Sequence, residues 1–190
     1  MNIVQILNLQ KATLKKGVTV WFTGLPSSGK STIARLVERQ CRKWKIKTEL
    51  LDGDVVRTHL SKGLGFSKED REINVKRIAF VCQLLTRNDV MAIASAISPY
   101  RETREQARQM IGSFVEVYVK TSIEECEKRD VKGLYQKARA GVVKGMTGVD
   151  DPYELPVNPE VVCETEKESP EECAAKVISK LRDLGYLELS

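Results

Sequence analysis

The sequence predicts a three-layer α/β/α domain around a parallel sheet, and three observations predict it. Short β-rich apolar runs alternate with longer helical patterns along the chain, as a parallel sheet with crossover helices requires. One run, Val-Met-Ala-Ile-Ala-Ser-Ala-Ile at 90–97, is almost continuously apolar, as a strand buried on both faces must be. Another, at 19–22, leads straight into a glycine-dotted turn and then a helical pattern.

In chain order, Thr-Val-Trp-Phe (19–22) reads as a strand, and the helix opening near Gly29 runs to about Lys43. Lys-Thr-Glu-Leu-Leu (47–51) is a second strand. Ser67-Lys-Glu-Asp70 is a capping box, followed by Ile78, Val81, Cys82 and Leu85 at i, i+3, i+4, i+7 spacing. The 90–97 run and Phe-Val-Glu-Val-Tyr-Val (114–119) are further strands. Ser122 to Glu125 and Ser169 to Glu172 start two more helices, the second with Pro170 at its first position and running to about Leu184. Lys132–Gly148 is basic, dotted with glycine and without a long apolar face, so a mobile lid or long loop is expected there. One domain over 1–190 is expected, with an N-terminal arm at 1–16 and a lid at 130–150.

Composition excludes several classes. No stretch approaches the roughly 18 apolar residues that span a bilayer, and Met-Asn-Ile-Val-Gln-Ile-Leu-Asn-Leu-Gln lacks the basic start of a signal peptide. The five cysteines show no C-x-x-C spacing, and there is one histidine, His59. Neither a zinc site nor a disulfide framework is indicated, and the cytoplasm is the expected compartment. The net charge of +5 hides an asymmetry: residues 1–150 carry 27 basic and 16 acidic groups, residues 151–190 carry 4 and 10. A basic body suits anionic small molecules; neither a nucleic-acid nor a membrane partner is expected. The acidic tail is expected to pack outside the sheet, away from them.

Gly24-Leu25-Pro26-Ser27-Ser28-Gly29-Lys30-Ser31 matches G-x-x-x-x-G-K-[ST] between a predicted strand and a predicted helix, the context that a phosphate-binding P-loop needs. Its glycines permit backbone angles that turn successive N–H groups toward phosphate oxygens, and the helix N-terminus adds partial positive charge. Lys30 would reach the β and γ phosphates, and the Ser31 hydroxyl would ligate Mg²⁺, with Thr32 completing the loop. The fold expected is thus that of a P-loop NTPase. The 90–97 strand ends without aspartate, and no N-K-x-D motif is present. A carboxylate must therefore come from elsewhere. Leu51-Asp52-Gly53-Asp54 puts two at the carboxyl end of a strand, where open α/β sheets bind ligands. Asp54 could organise Mg²⁺, accept a hydroxyl proton or simply cap a short helix; Asp52 reads as structural.

The apolar stripe of the helix after Ser67 projects backwards onto Asn74 and Arg71, so it passes from core to cleft. Arg57 lies near the same cleft, and a guanidinium fork suits phosphate or sulfate oxygens. Arg77 could face ligand or solvent. Phe66 could stack on a base or act as a hydrophobic staple.

The runs Leu-Asp-Gly-Asp-Val-Val-Arg (51–57), Leu-Gly-Phe-Ser-Lys-Glu-Asp-Arg (64–71), Ile-Ser-Pro-Tyr-Arg (97–101), Arg-Asp-Val-Lys-Gly-Leu-Tyr (129–135), Lys-Ala-Arg-Ala-Gly (137–141) and Thr-Gly-Val-Asp-Asp-Pro-Tyr-Glu (147–154) resemble adenylylsulfate kinases. The resemblance covers the chain from about Gly17 onward. It implies transfer of the ATP γ-phosphoryl group to the 3′-hydroxyl of adenosine 5′-phosphosulfate. The implied acceptor site is Asp54, Arg57, Phe66, Arg71, Asn74, Ile97, Ser98, Lys132, Gly145 and Met146, with Lys30, Asp54 and Ser98 as the catalytic set. Ser98, often described as a phosphoserine in this family, is expected here as a hydrogen-bonding contact facing the cleft. Arg129 would lie on the ATP adenine, and the basic lid would close over phosphates. Two departures stand out: Gly145-Met146-Thr147-Gly148 replaces Gly-Phe-Thr-Gly, and Val55 replaces an asparagine. Met146 would give a softer contact with the acceptor adenine. Val-Val-Arg-Thr-His-Leu (55–60) resembles kinase domains fused to ATP sulfurylase. A homodimer, and association or fusion with ATP sulfurylase, are both compatible with it. Alternatives are a P-loop kinase for another small alcohol and a silent nucleotide-sensing module.

Overall fold

A five-stranded parallel sheet forms the middle layer of the computed structural model, which describes residues 11–189. The strands are β1 (Ala12–Leu14), β2 (Val18–Thr23), β3 (Thr48–Asp52), β4 (Met91–Ser95), β5 (Phe114–Lys120), β6 (Val161–Glu164) and β7 (Leu187–Leu189). The helices are α1 (Lys30–Lys43), α2 (Gly53–Thr58), α3 (Lys68–Thr86), α4 (Arg101–Ile111), α5 (Ile123–Arg129), α6 (Leu134–Arg139) and α7 (Pro170–Asp183).

Strand order is β3-β4-β2-β5-β6, with Val18 opposite Met91 and Thr19 opposite Phe114. The chain leaves β2 toward one edge and later crosses to the other, so the carboxyl end of β2 is a topological switch point. Alternation along each strand feeds two cores. Val18, Val20, Phe22, Met91 and Ile93 pack against α1 and α7 through Ile33, Val37, Cys41, Val177 and Leu181. Trp21, Ala92 and Ala94 face α3 and α4 through Ile78, Cys82, Ala107 and Ile111. All five thiols are buried and free. Among the described residues no helix is long and apolar enough to cross a membrane.

Four features differ from the sequence reading. Residues 1–10 of the expected arm lie outside the described residues, but Ala12–Leu14 is a strand, paired antiparallel with Leu187–Leu189. The four-residue β6 extends the sheet at its edge. Helix α4 buries Thr103 and Arg104 beside Ala107 and Ile111, so its inner face does not read as apolar. The lid region does have an apolar face: α6 turns Tyr135 and Ala138 into a small core with Cys126 and Met146.

Candidate active site

The P-loop follows β2 directly. Gly24 has φ +153°, and a Cβ there would stand 2.6 Å from the Val119 carbonyl; Gly29 caps α1 with φ +103°. Only glycine meets both demands. The Ser28 carbonyl accepts from the Thr121 and Thr165 hydroxyls, each at 3.2 Å, and from Arg129 at 3.4 Å. Arg129 also binds Glu125 at 3.0 Å and the Thr165 carbonyl at 3.1 Å, which sets it beside the loop. Tyr135 donates to the Pro26 carbonyl at 3.1 Å. The loop is thus held from the turns after β5 and β6 and from α5 and α6.

Lys30 is 8% exposed and donates to the carbonyls of Gly24 (2.9 Å) and Leu25 (2.6 Å). Burial pushes its ammonium down to about 8, with Lys132 adding to the effect and Cys126 and Asp54 opposing it. The Ser31 hydroxyl lies 3.2 Å from that of Ser95, the last residue of β4. Ser95, not an aspartate, ends this buried strand beside the P-loop, and that position at the strand's end marks it in the sequence.

Across the cleft, the two carboxylates of the Asp-Gly-Asp run divide their work. Asp52 caps α2 by accepting from the Asp54 amide at 3.1 Å and pairs with Arg35 at 3.4 Å. Asp54 is therefore not the cap. Its side chain is 70% exposed and ion-paired with Lys132 of the lid.

On the acceptor side, Arg57 donates to the Gly65 carbonyl at 2.9 Å and stands 4.5 Å from the centre of the exposed Phe66 ring. Arg71 is buried; it donates to the Thr147 hydroxyl and the Gly145 carbonyl and pairs with Asp151 at 3.2 Å. Burial first, and then the Arg71 guanidinium, push Arg57 below its ordinary value. An anion bound beside Arg57 would favour its charged form. Asn74 is buried, and its Oδ1 has no hydrogen-bond partner among the described residues. An acceptor left this way is costly unless a donor reaches it. Phe66, Tyr100, Lys144, Gly145, Asp151 and Glu154 line a cleft of about 690 Å³.

Three expectations need correction. Ser98 does not face the cleft with its hydroxyl: at φ +40° it is 2% exposed and accepts from the Trp21 indole at 3.1 Å, inside the body. Beside it, Ile97 uses its carbonyl to accept from Thr23 at 2.7 Å. Met146 is no partner for Phe66; it packs with Cys126, Tyr135 and Ala138 beneath the lid. Arg77, for which either ligand or solvent was open, is exposed and donates to the Leu60 carbonyl at 3.0 Å. Finally, the acidic tail does not stay clear of the site, since Asp151 lies against Arg71.

The family profile of adenylylsulphate kinase matches residues 16–164. The chain belongs to the adenylylsulphate kinase family. As a member it is an ATP-dependent phosphotransferase of P-loop fold. An adenylyl-sulfate kinase of Picosynechococcus sp. is 60% identical over 172 residues, covering 90% of this chain and 97% of the relative. That of Halothermothrix orenii is 55% identical over 175 residues, covering 92% and 95%. Among solved structures, the Mycobacterium tuberculosis APS kinase CysC in complex with AMPPNP and APS matches with TM-score 0.85 at 43% identity, covering 88% of this chain and 98% of that one. A hexameric APS kinase from Thiobacillus denitrificans matches with TM-score 0.71 at 36% identity, covering 92% of this chain and 30% of that one. A gluconokinase from Sinorhizobium meliloti, at 15% identity and TM-score 0.58 over 88% of this chain and 93% of that one, shares the fold alone.

Proposed function

We propose that the chain transfers the γ-phosphoryl group of ATP to the 3′-hydroxyl of adenosine 5′-phosphosulfate, giving 3′-phosphoadenosine 5′-phosphosulfate and ADP. The observation that carries this reading is that one cleft is bordered by Phe66, on whose ring Arg57 lies, and by Gly145 and Asp151, which hold the buried Arg71, while the Oδ1 of the buried Asn74 has no partner among the described residues. A phosphosulfate anhydride spreads negative charge over several oxygens, and two guanidinium forks answer it. Asn74 Oδ1 accepts from a ribose hydroxyl, and Phe66 offers a ring to the adenine.

The other half of the site holds the donor. Backbone N–H groups from Ser27 to Ser31 and the N-terminus of α1 cradle the ATP phosphates, and Lys30 exchanges its loop carbonyls for phosphate oxygens. Arg129 flanks the loop on the adenine side. The hydroxyls of Ser31 and Ser95 and the carboxylate of Asp54 are hard oxygen donors, few in number, which suits Mg²⁺ with its retained waters and phosphate ligands. When bound, Mg²⁺ would neutralise charge on the β and γ phosphates. Asp54 is also the group available to take the acceptor hydroxyl's proton. Lys132, held to Asp54 in this structure, moves onto phosphate as the lid closes and excludes water. Buried free thiols fit a reducing cytoplasm, and an ATP sulfurylase, separate or fused, would supply the acceptor.

The test is a coupled ADP-release assay offering adenosine 5′-phosphosulfate beside other nucleotides and small alcohols. Turnover is expected with the phosphosulfate alone. Turnover with a sugar alcohol but none with the phosphosulfate would overturn the substrate; absence of turnover with every acceptor would favour a silent module.

A further inference from the structure

Arg104, on the inner face of α4, is 3% exposed. Its Nε donates to Glu116 at 2.9 Å, Nη1 to the Ser98 carbonyl at 2.7 Å and Nη2 to the Glu154 carbonyl at 2.7 Å. A guanidinium that merely fastened α4 to β5 would need only the first bond. That fastening is already made by Arg108, which binds Glu160 at 2.7 Å and Glu116 at 3.4 Å. The other two bonds of Arg104 reach backbone carbonyls of two segments far apart in sequence, both next to the acceptor cleft.

Each segment needs such a hold. Ser98 sits at φ +40°, a strained angle for a residue with a side chain, which persists only when its surroundings over-determine it. Trp21 fixes its hydroxyl and Arg104 its carbonyl. The segment from Asp151 to Leu155 has almost no regular structure, yet Asp151 pairs with Arg71 and Glu154 lines the cleft. Between them stands Tyr153, whose ring lies 5.7 Å from the Arg104 guanidinium and whose hydroxyl is 2.8 Å from that of Thr23. Because the Thr23 hydroxyl donates to the Ile97 carbonyl at 2.7 Å, Tyr153 is the donor to Thr23. One closed set of bonds thus joins β2, the turn after β4 and the exit of the lid.

We propose that Arg104 is a positioning residue that locks the Ile97–Ser98 turn to the Asp151–Leu155 segment and so sets the acceptor side of the cleft. This rests on the acceptor reading above. The P-loop has its own anchors and does not depend on the lock.

The experiment measures KM for adenosine 5′-phosphosulfate and for ATP separately, with ATP-analogue binding by calorimetry, in wild type, Arg104→Lys and Tyr153→Phe. Arg104→Lys keeps the charge against Glu116 and loses the fork. It is expected to raise the acceptor KM about tenfold, the loss of about one charge-assisted hydrogen bond, with ATP KM and analogue affinity within about twofold. Acceptor and ATP constants rising together, or neither moving, would overturn the proposal. Should Arg104→Lys lack a cooperative melt, Tyr153→Phe decides: the acceptor KM alone rises about threefold if the lock exists, and an unchanged value defeats it. Failure of the wild type to use the phosphosulfate would instead defeat the substrate assignment, which keeps the two failures distinct.

Discussion

Asp54 and Lys30 face one cleft from opposite environments, and each environment makes a prediction. Asp54 is exposed and does not cap α2, which Asp52 does, so Asp54→Asn should leave the fold and the affinity for a metal-free ATP analogue unchanged. Turnover should fall by about a thousandfold if the carboxylate takes the proton and helps to hold the metal; turnover within tenfold of wild type would remove it from the chemistry. Lys30 is the converse case. Its buried ammonium is pushed down to about 8, so the free protein sheds this proton as pH rises through that value. Phosphates favour the charged form, and binding must restore it. ATP binding should therefore take up close to one proton at about pH 9 and almost none at pH 7. Calorimetry in buffers of different ionisation enthalpy reads the uptake, and Lys30→Arg should abolish it. Equal heats across buffers at high pH would show that Lys30 stays charged throughout.

The helices show how much was legible and why. Ser67, Ser122 and Ser169 each accept from the amide three residues on, as a cap should. Only Ser169 makes the full box; at Ser67 the reciprocal carboxylate, Asp70, bonds the Gly65 amide instead and shapes the Phe66 loop. Helix α4 escaped because a buried arginine broke the apolar pattern, and the β1–β7 ribbon because it pairs the two ends of the chain. Arg71 and Asn74 were legible through a stripe that turns polar, Arg57 through its place three residues after Asp54, and Phe66 through its loop. Ser98 and Met146 were misplaced because a motif fixes order along the chain but not which way a side chain turns. The lid helix α6 carries its own prediction. Tyr135 ties it to the P-loop by one bond to Pro26 while its ring fills the small core. Tyr135→Phe keeps the ring and loses the bond, worth about 1 kcal/mol. ATP KM should rise several-fold and acceptor-free ATP hydrolysis should increase, both in steady-state assays. Unchanged hydrolysis would show that the bond does not restrain the lid.

At the scale of the molecule, the charge asymmetry becomes a statement about rates. The excess of 27 basic over 16 acidic groups belongs to residues 1–150, which supply the P-loop, the two cleft arginines and the lid. The acidic remainder begins inside the cleft, at Asp151 against Arg71, and there it moderates the field instead of standing apart from it. Lys144 is exposed at the cleft mouth, whereas Lys43 is exposed in the last turn of α1, at the opposite end of the sheet from the P-loop. Steering acts through exposed charges near the mouth and is screened beyond about 10 Å at 0.1 M salt. Contacts made by buried groups such as Arg71 are screened far less. The acceptor kcat/KM should therefore fall severalfold on going from about 0.02 to 0.3 M salt while kcat stays nearly constant. Lys144→Gln should lower kcat/KM at low salt and flatten that dependence; Lys43→Gln, with the same change in net charge, should do neither. If the two variants behave alike, net charge and not its placement governs capture, and the basic body has no directing role.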